Sequence, residues 1–508
     1  TDTGTLNIRG TTTISASGID VTLNSAANRF QGSIAIDGSD VVVVNANSTT
    51  DLAASTVTGT YTLTASGAVT DSGTLAITGD TTISAASSNV TLDTVTNNFQ
   101  GAVAIDGVNV IVVDAGAIDL GASTVTGTYA VTATAGGDIT DSGVLTITGE
   151  STFKAASGQN VTLDSTSTFS SDVNFTTASG NLANVTVTDT NDFEIQALTL
   201  SGNLDVISTG GSITDDGALA ITGTSSFTTS ASNEDITLDT TTNAFTGAVT
   251  LSTTGSTGNA EIDGGTTQLD IAASTVGGNL KLTSGNATGI TDSGTVTVSG
   301  NLTAVNDVSN GDINMGSLAV DGTIALVTTG TEGDVTLVND AGLNFATSSI
   351  GGDLTVTATS GNISDTGALT VTGATDITLG TTPIYTVTGV TSVTDLNGNT
   401  VNLDISTFTG GITINYYGYP EDNSDIDLAR QVVFAEFIFG IYENRKNIYG
   451  GNEDINKMND IQKMYELFLK SSPKSKIEVK EAKKDLVHEP KIRKINVSII
   501  EQEKHKKL

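Results

Sequence analysis

Six acidic side chains recur inside six copies of one phrase. They are Asp2 in TDTGTLNIRG, Asp71 in VTDSGTLAITG, Asp141 in ITDSGVLTITG, Asp215 in ITDDGALAITG, Asp292 in ITDSGTVTVSG and Asp365 in ISDTGALTVTG. The Thr or Ser before each falls at Thr1, Thr70, Thr140, Thr214, Thr291 and Ser364, so the numbering advances by 69, 70, 74, 77 and 73 from copy to copy. Carboxylates at a repeated turn are hard oxygen donors, and calcium is the ligand they suggest. Each copy supplies one carboxylate, or two where Asp216 follows Asp215, and the nonapeptide pattern of calcium-binding rolls is missing. The expectation is a solvated turn Asp that accepts bonds from backbone amides. No metal-binding or cofactor-binding residue is expected, and calcium associates weakly at most.

Other chemistries lack their residues. The only His are His488 and His505, and there is no Cys. Ser-His-Asp and Cys-His arrangements are therefore unavailable before residue 420, and a zinc site there is nearly excluded. Carboxylate-only glycoside hydrolysis stays formally open. Holding sugar calls for aromatic and basic groups, yet Trp is absent and the only basic side chains before residue 420 are Arg9, Arg29, Lys154 and Lys281. No phosphate-binding glycine loop precedes a plausible helix. No catalytic residue and no enzymatic activity are expected. Thr runs such as GTTTIS resemble flat ice-binding faces but are not repeated on every coil.

The elements that carry the phrase read as strands. LAITG, TTISA and NVTLD alternate apolar and polar residues with period two. Gly, Asn, Asp and Ser interrupt them, and β-branched residues abound. One unit divides into three pieces, at 73–97, 98–121 and 122–143. Such a piece, with three short strands, suits one coil of a parallel β-helix, in which each coil contacts only its neighbours. The recurrent Phe of NRFQG, NNFQG and NAFTG (Phe30, Phe99, Phe245) and the recurrent STVTG at Ser55 and Ser123, with STVGG at Ser274, mark corresponding points. Roughly 18 coils spaced about 4.8 Å would give a rod of about 85 Å. An array of small β-sandwiches is the alternative.

Charge divides the chain. Residues 1–420 carry 40 acids and 4 bases, a net of −36, while the remainder carries 16 acids and 17 bases, a net of +1. So negative a field opposes nucleic acid and anionic membranes. No apolar run approaches the roughly 18 residues of a membrane-spanning helix. The chain reads as a processed product or an excised piece. Near residue 415 its character changes. Ile426, Ala429, Val433, Phe437 and Ile441 fall at helical spacing after a cap at Asn423 or Ser424, and a second helix is expected from about 453 to 470. Lys-rich, strand-like runs follow. This region is expected to cap the open end of the rod, or to attach it to an envelope component, a secretion pore or another subunit.

Residues 1 to about 410, through TDSGTLAITGDTTISAASSNVTLDT and GALAITGTSSFTTSASNEDITLDT, resemble the repetitive shaft of filamentous haemagglutinin-like exoproteins, the large adhesins of two-partner secretion. The resemblance implies a right-handed parallel β-helix projecting from a bacterial cell surface, with no catalytic residue to carry over. The expected fold class is thus all-β: a right-handed parallel β-helix (solenoid) over 1–412, with a small α+β C-terminal module over 413–508. The solenoid is expected to hold about six repeats of about 72 residues, at about three coils each. The expected function is structural and adhesive, at the extracellular surface. Its partners would be an envelope or secretion-pore component through the C-terminal region and a receptor on a host or neighbouring cell through parts outside this chain. Homotypic assembly into an end-to-end fibre or surface layer is a second reading. A polysaccharide-binding or polysaccharide-cleaving β-helix, marked by a cleft of paired carboxylates and Tyr, is a third.

Overall fold

The computed structural model describes residues 1–381 and 385–417. The chain divides into two compact units, Thr1–Tyr416 and Tyr417–Leu508, and the first is described here. The two expected helices, the Lys-rich runs and Pro383 lie outside the described residues.

Period-two alternation sets the local structure. In strand Tyr61–Ala65 the side chains of Tyr61, Leu63 and Ala65 point into the core while Thr62 and Thr64 face outward. This is what a strand with one buried face requires. The strands stack in parallel, coil upon coil, in two long sheets. Sheet II runs through Val21–Leu23, Val41–Asn45, Tyr61–Ala65, Thr81–Ser84 and Val103–Asp106, each in register with the next. Sheet I runs through Thr49–Leu52, Ala68–Asp71, Val90–Leu92, Val110–Asp114 and Tyr129–Ala133. Coils differ in length. A short one carries Val110 round to its partner Tyr129, and a long one carries Val161 round to Val185. The inward positions form vertical rows, such as Leu23, Val43, Leu63, Ile83 and Ile105, all buried. They join a single apolar core cluster that extends from Val21 to Tyr416. The described residues are all-β with no helix, a β-solenoid of about 18 turns, or about 85 Å of stacked strands at about 4.8 Å each.

The two walls are not alike at a given height. Straight strand Ile34–Gly38 is followed one coil later by two short arms, Thr49–Leu52 and Ser55–Val57. Ile34 pairs with Leu52, and Asp37 and Gly38 pair with Thr56 and Val57, so Ala53 and Ala54 form a kink. The same transition occurs at Val103–Asp106, Val173–Thr177, Val249–Thr254 and Thr323–Thr329. These five bends fall in sheets I, II, I, II and I in turn.

This alternation corrects the coil count. From Thr70 the ladder steps through Thr91, Ile111, Ala130, Thr152 and Asn174, then through the Val173–Ile195 pair, and reaches Thr214 by the Glu194–Thr214 pair. That is seven coils for two repeats, so one repeat is three and a half coils, rather than about three. Thr140 accordingly lies in sheet II, paired with Asp119 and Thr162. Successive copies of the phrase sit on opposite walls.

The C-terminal end of the stack is closed by its own chain. Tyr385–Thr388 pairs antiparallel with Ile412–Tyr416, and Ser392–Thr394 pairs antiparallel with Thr400–Asn402. Both long edges of the last coil are covered by short antiparallel strands, which leaves only short edges at that end.

Candidate functional site

The phrase is a corner, and each of its residues has a mechanical role. Asp71 Oδ1 accepts the N–H of Asp93 at 3.0 Å, one coil later, and Oδ2 accepts the N–H of Thr94 at 3.3 Å and Asn97 Nδ2 at 2.6 Å. Asn97 is fully buried, and its Oδ1 accepts the N–H of Leu75, back in the phrase, at 2.8 Å. Asp, Asn and Leu thus form a clasp between neighbouring coils. Asp2, Asn28 and Leu6 repeat it, with Asn28 Nδ2 donating to Asp2 at 2.7 Å and Leu6 N–H donating to Asn28 at 2.8 Å. Asp215, Asn243 and Leu219 do so at 2.7 and 2.8 Å. In other copies the partner changes but the bond persists. Ser167 Oγ receives Leu145 N–H at 3.0 Å, Asp292 accepts the N–H groups of Gly316 and Ser317 at 2.8 and 2.7 Å, and Ser406 Oγ donates to Asp365.

The glycines of the phrase mark close approach. A Cβ on Gly73 would lie 2.4 Å from the backbone N of Ala54 in the kink one coil earlier. At the end of the phrase Gly79 stacks between Gly59 and Gly101, and a Cβ there would lie 2.6 Å from the Gly59 carbonyl. Real Cβ atoms do not come so close to backbone, which is why glycine recurs at this point.

Two further side chains bound each bend. On entry, Ser55 Oγ accepts the N–H of Ile36 at 3.0 Å and donates to the Ala53 carbonyl at 2.9 Å. The kink pulls its own backbone away from Ile36, and the hydroxyl fills the place. Ser123, Ser274 and Ser348 do the same for Ile105, Leu251 and Leu326 at 2.9, 3.0 and 3.1 Å. On exit, Asn45, Asp114, Asp189 and Asn339 close the bend by accepting the N–H of Phe30, Phe99, Phe169 and Val320 at 3.0, 2.6, 2.9 and 2.9 Å. A third device runs up the outside. Asp235, Asn259, Asn279 and Asn301 stand just before successive strands of sheet I, and each passes its side-chain oxygen to the next backbone N–H at 2.7, 2.9 and 2.8 Å, ending on Thr323 at 2.8 Å.

The environments of the phrase carboxylates differ. The Asn28 amide and two backbone N–H groups hold Asp2 below the ordinary carboxylate value. Burial pushes Asp141 up to about 6, with the nearby Asp164 carboxylate adding to the effect, and burial also raises Asp215. Asp216 is exposed.

Asp71, Asp215 and Asp365 lie in sheet I, while Asp141 and Asp292 lie in sheet II. The structure does not bring them together, since successive copies are three and a half coils, about 17 Å, apart along the axis. Among the described residues no group of three or more His, Cys, Asp or Glu could hold a metal ion. No helix of the described residues is long and apolar enough to cross a membrane. The two His lie outside the described residues. The buried Ser of STVTG and the Asn before the recurrent Phe escaped sequence reasoning as bonding groups, although both recur visibly.

Stacked parallel coils, a continuous core and corner clasps define a β-solenoid repeat protein. The family described as Repeats of unknown function (DUF5649) matches residues 1–37, 38–106, 107–176, 182–252 and 332–385, more than half of the chain, and the chain belongs to it. Residues 253–331 fall outside the matched segments, yet Ser274 and the Asp292 turn are built there as in the others. No curated protein and no solved structure matches the chain.

Proposed function

We propose that this chain is the shaft of a bacterial cell-surface exoprotein of the filamentous haemagglutinin-like kind, a rod that holds a distal binding part away from the cell. The observation that carries this reading is the use made of the repeated polar residues. The phrase Asp, its Asn or Ser partner, the entry Ser and the exit Asx are spent on joining one coil to the next. Repetition of such a unit lengthens a stack without building a unique cleft. The chain would act without catalysis and without a resident cofactor. Its C-terminal region beyond Tyr417 would attach it to an envelope or secretion-pore component, because the last coil is already covered by residues 385–394. The same cover weighs against the end-to-end fibre, which would need a free parallel edge at that end. The sugar-binding reading is weakened by the aromatics. Among the aromatic side chains whose burial is described only Phe408 and Tyr417 are not buried, so they offer no stacking platform for sugar rings.

Protease shaving of intact source cells tests the location, and electron microscopy of the purified chain tests the shaft. Release of an intact fragment spanning about 1–416 by shaving, with separate rods of about 85 Å, is the expected result. A chain protected in intact cells, or long filaments in place of single rods, would overturn the reading.

A further inference from the structure

One position at the exit of the bends carries Asn or Asp in four of five copies. Asn45, Asp114, Asp189, Gly264 and Asn339 succeed one another as the numbering advances by 69, 75, 75 and 75. Each stands at or next to the end of a straight strand stacked on a bent pair. Asn45, Asp114, Asp189 and Asn339 are 0% exposed, and Gly264 is buried.

The Asn copies show what the position requires. Asn45 Oδ1 accepts the N–H groups of Phe30 and Asn47 at 3.0 and 3.1 Å, while Nδ2 donates to the Phe30 carbonyl at 3.1 Å and to Thr50 Oγ1 at 3.0 Å. Asn339 repeats this on Val320, accepting its N–H at 2.9 Å and donating to its carbonyl at 3.2 Å. The site wants an acceptor and a donor on one side chain. Asp189 fills the acceptor half, its Oδ1 taking the N–H groups of Phe169 and Thr190 at 2.9 and 2.8 Å. Its Oδ2 is buried with no hydrogen-bond partner, and the Phe169 carbonyl is left to Asn191 Nδ2 at 3.4 Å. An ionised oxygen without a donor, out of water, is costly, whereas the neutral acid can donate as the amide does.

We propose that Asp189 is a proton-binding site built into the rod, so that mild acid completes this junction and tightens the stack. The neighbours permit it. From the coil below, Asp189 pairs with Ser167, and from the coil above with Ser208. The Asp192 carboxylate is the charged group beside it and favours the neutral form. At Asp114 both oxygens already accept backbone N–H groups, from Phe99 and Gly116 at 2.6 Å each, so the ionised form is satisfied there. Burial raises Asp189 to about 6. With the folded value above the ordinary 3.8, the folded chain binds the extra proton. The contribution is complete below about pH 4 and is lost as pH rises through about 6.

The test uses the full chain and an Asp→Asn substitution that reproduces the residue of the Asn copies. Urea midpoints are measured from pH 8 to 5, and proton uptake is measured on the folded and urea-unfolded chains. D189N should raise the midpoint at pH 8 and flatten its rise toward pH 5. It should also take up about one fewer proton than the wild type over that range, while the exposed D321N should leave both behaviours unchanged. A lower midpoint at pH 8, or an uptake equal to that of the wild type, would overturn the proposal. Carboxyl carbon NMR of the unsubstituted protein decides if the variant does not fold. Titration of Asp189 near 6 supports the proposal, and titration of every Asp below about 5 removes it.

Discussion

A buried N–H must find an acceptor, and in this chain single side chains supply it. Ser274 is 5% exposed and takes the Leu251 N–H at the entry of a bend. Ser274→Ala should therefore leave a buried donor unpaired and destabilise the rod by about 1–3 kcal/mol in urea unfolding. The outward Thr275→Ala beside it should cost less than about 0.5 kcal/mol. Equal effects would show that the hydroxyl is not the plug. Glycine makes the complementary case. Gly79→Ala places a methyl group 2.6 Å from a backbone carbonyl, while Gly4 has nothing within 4 Å. Gly79→Ala should lower the urea midpoint clearly and Gly4→Ala should leave it in place. The sequence displayed these residues without displaying their depth. Asp189 in TVTDTND and Asp292 in ITDSG look alike as letters, yet the first is sealed in the core and the second faces a turn. The difference is set by whether the strand is straight or bent at that height, which depends on the neighbouring coil.

At the scale of the element, the alternation of apolar and polar residues gave away the strands and their inward faces, and the recurrent Gly gave away the corners. The number of coils per repeat was not legible. Coil length varies, as the steps from Val110 to Tyr129 and from Val161 to Val185 show. One repeat therefore divides into three coils as plausibly as into three and a half. Only pairing shows that the phrase at Thr140 has moved to the wall opposite Thr70. The bend is therefore a unit with a Ser at its entry and an Asx at its exit. Deletion of residues 71–140, one full repeat, joins equivalent points and should give a cooperative rod about 17 Å shorter. Deletion of 81–102, a single coil inside a bend, takes away the Asn97 that clasps Asp71 and Leu75. It should lower the unfolding midpoint more, although less of the chain is removed. Circular dichroism followed through urea unfolding compares the two, and the opposite order would refute the bend as the structural unit.

The whole molecule carries a formal charge of −35, and among the described residues the ion pair is Lys281 with Glu261, both well solvated. Self-repulsion should make the rod more stable in salt, because screening shortens the reach of like charges. Raising NaCl from about 0.01 to about 0.5 M should raise the urea midpoint, and CaCl2 at matched ionic strength should add little. A large extra gain from micromolar calcium would reveal a specific site and contradict the reading of the phrase Asp as a backbone clasp. The solenoid class was legible from period and composition together. What the C-terminal region does was not, because its Lys-rich composition suits a cap and an anchor equally. The antiparallel cover at residues 385–394 supports the proposal that it is an anchor.

Parallel coils in register, with successive repeats on opposite walls, are the central claim. The chain has no Cys, so paired cysteines report directly on proximity. Thr140 and Thr162 are register partners in adjacent coils, about 4.8 Å apart and within disulfide reach. T140C/T162C should close under mild oxidation, mapped by mass spectrometry, while T70C/T140C, joining equivalent points of successive repeats, should stay reduced. Closure of the second pair, or failure of the first in a folded chain, would contradict the stack.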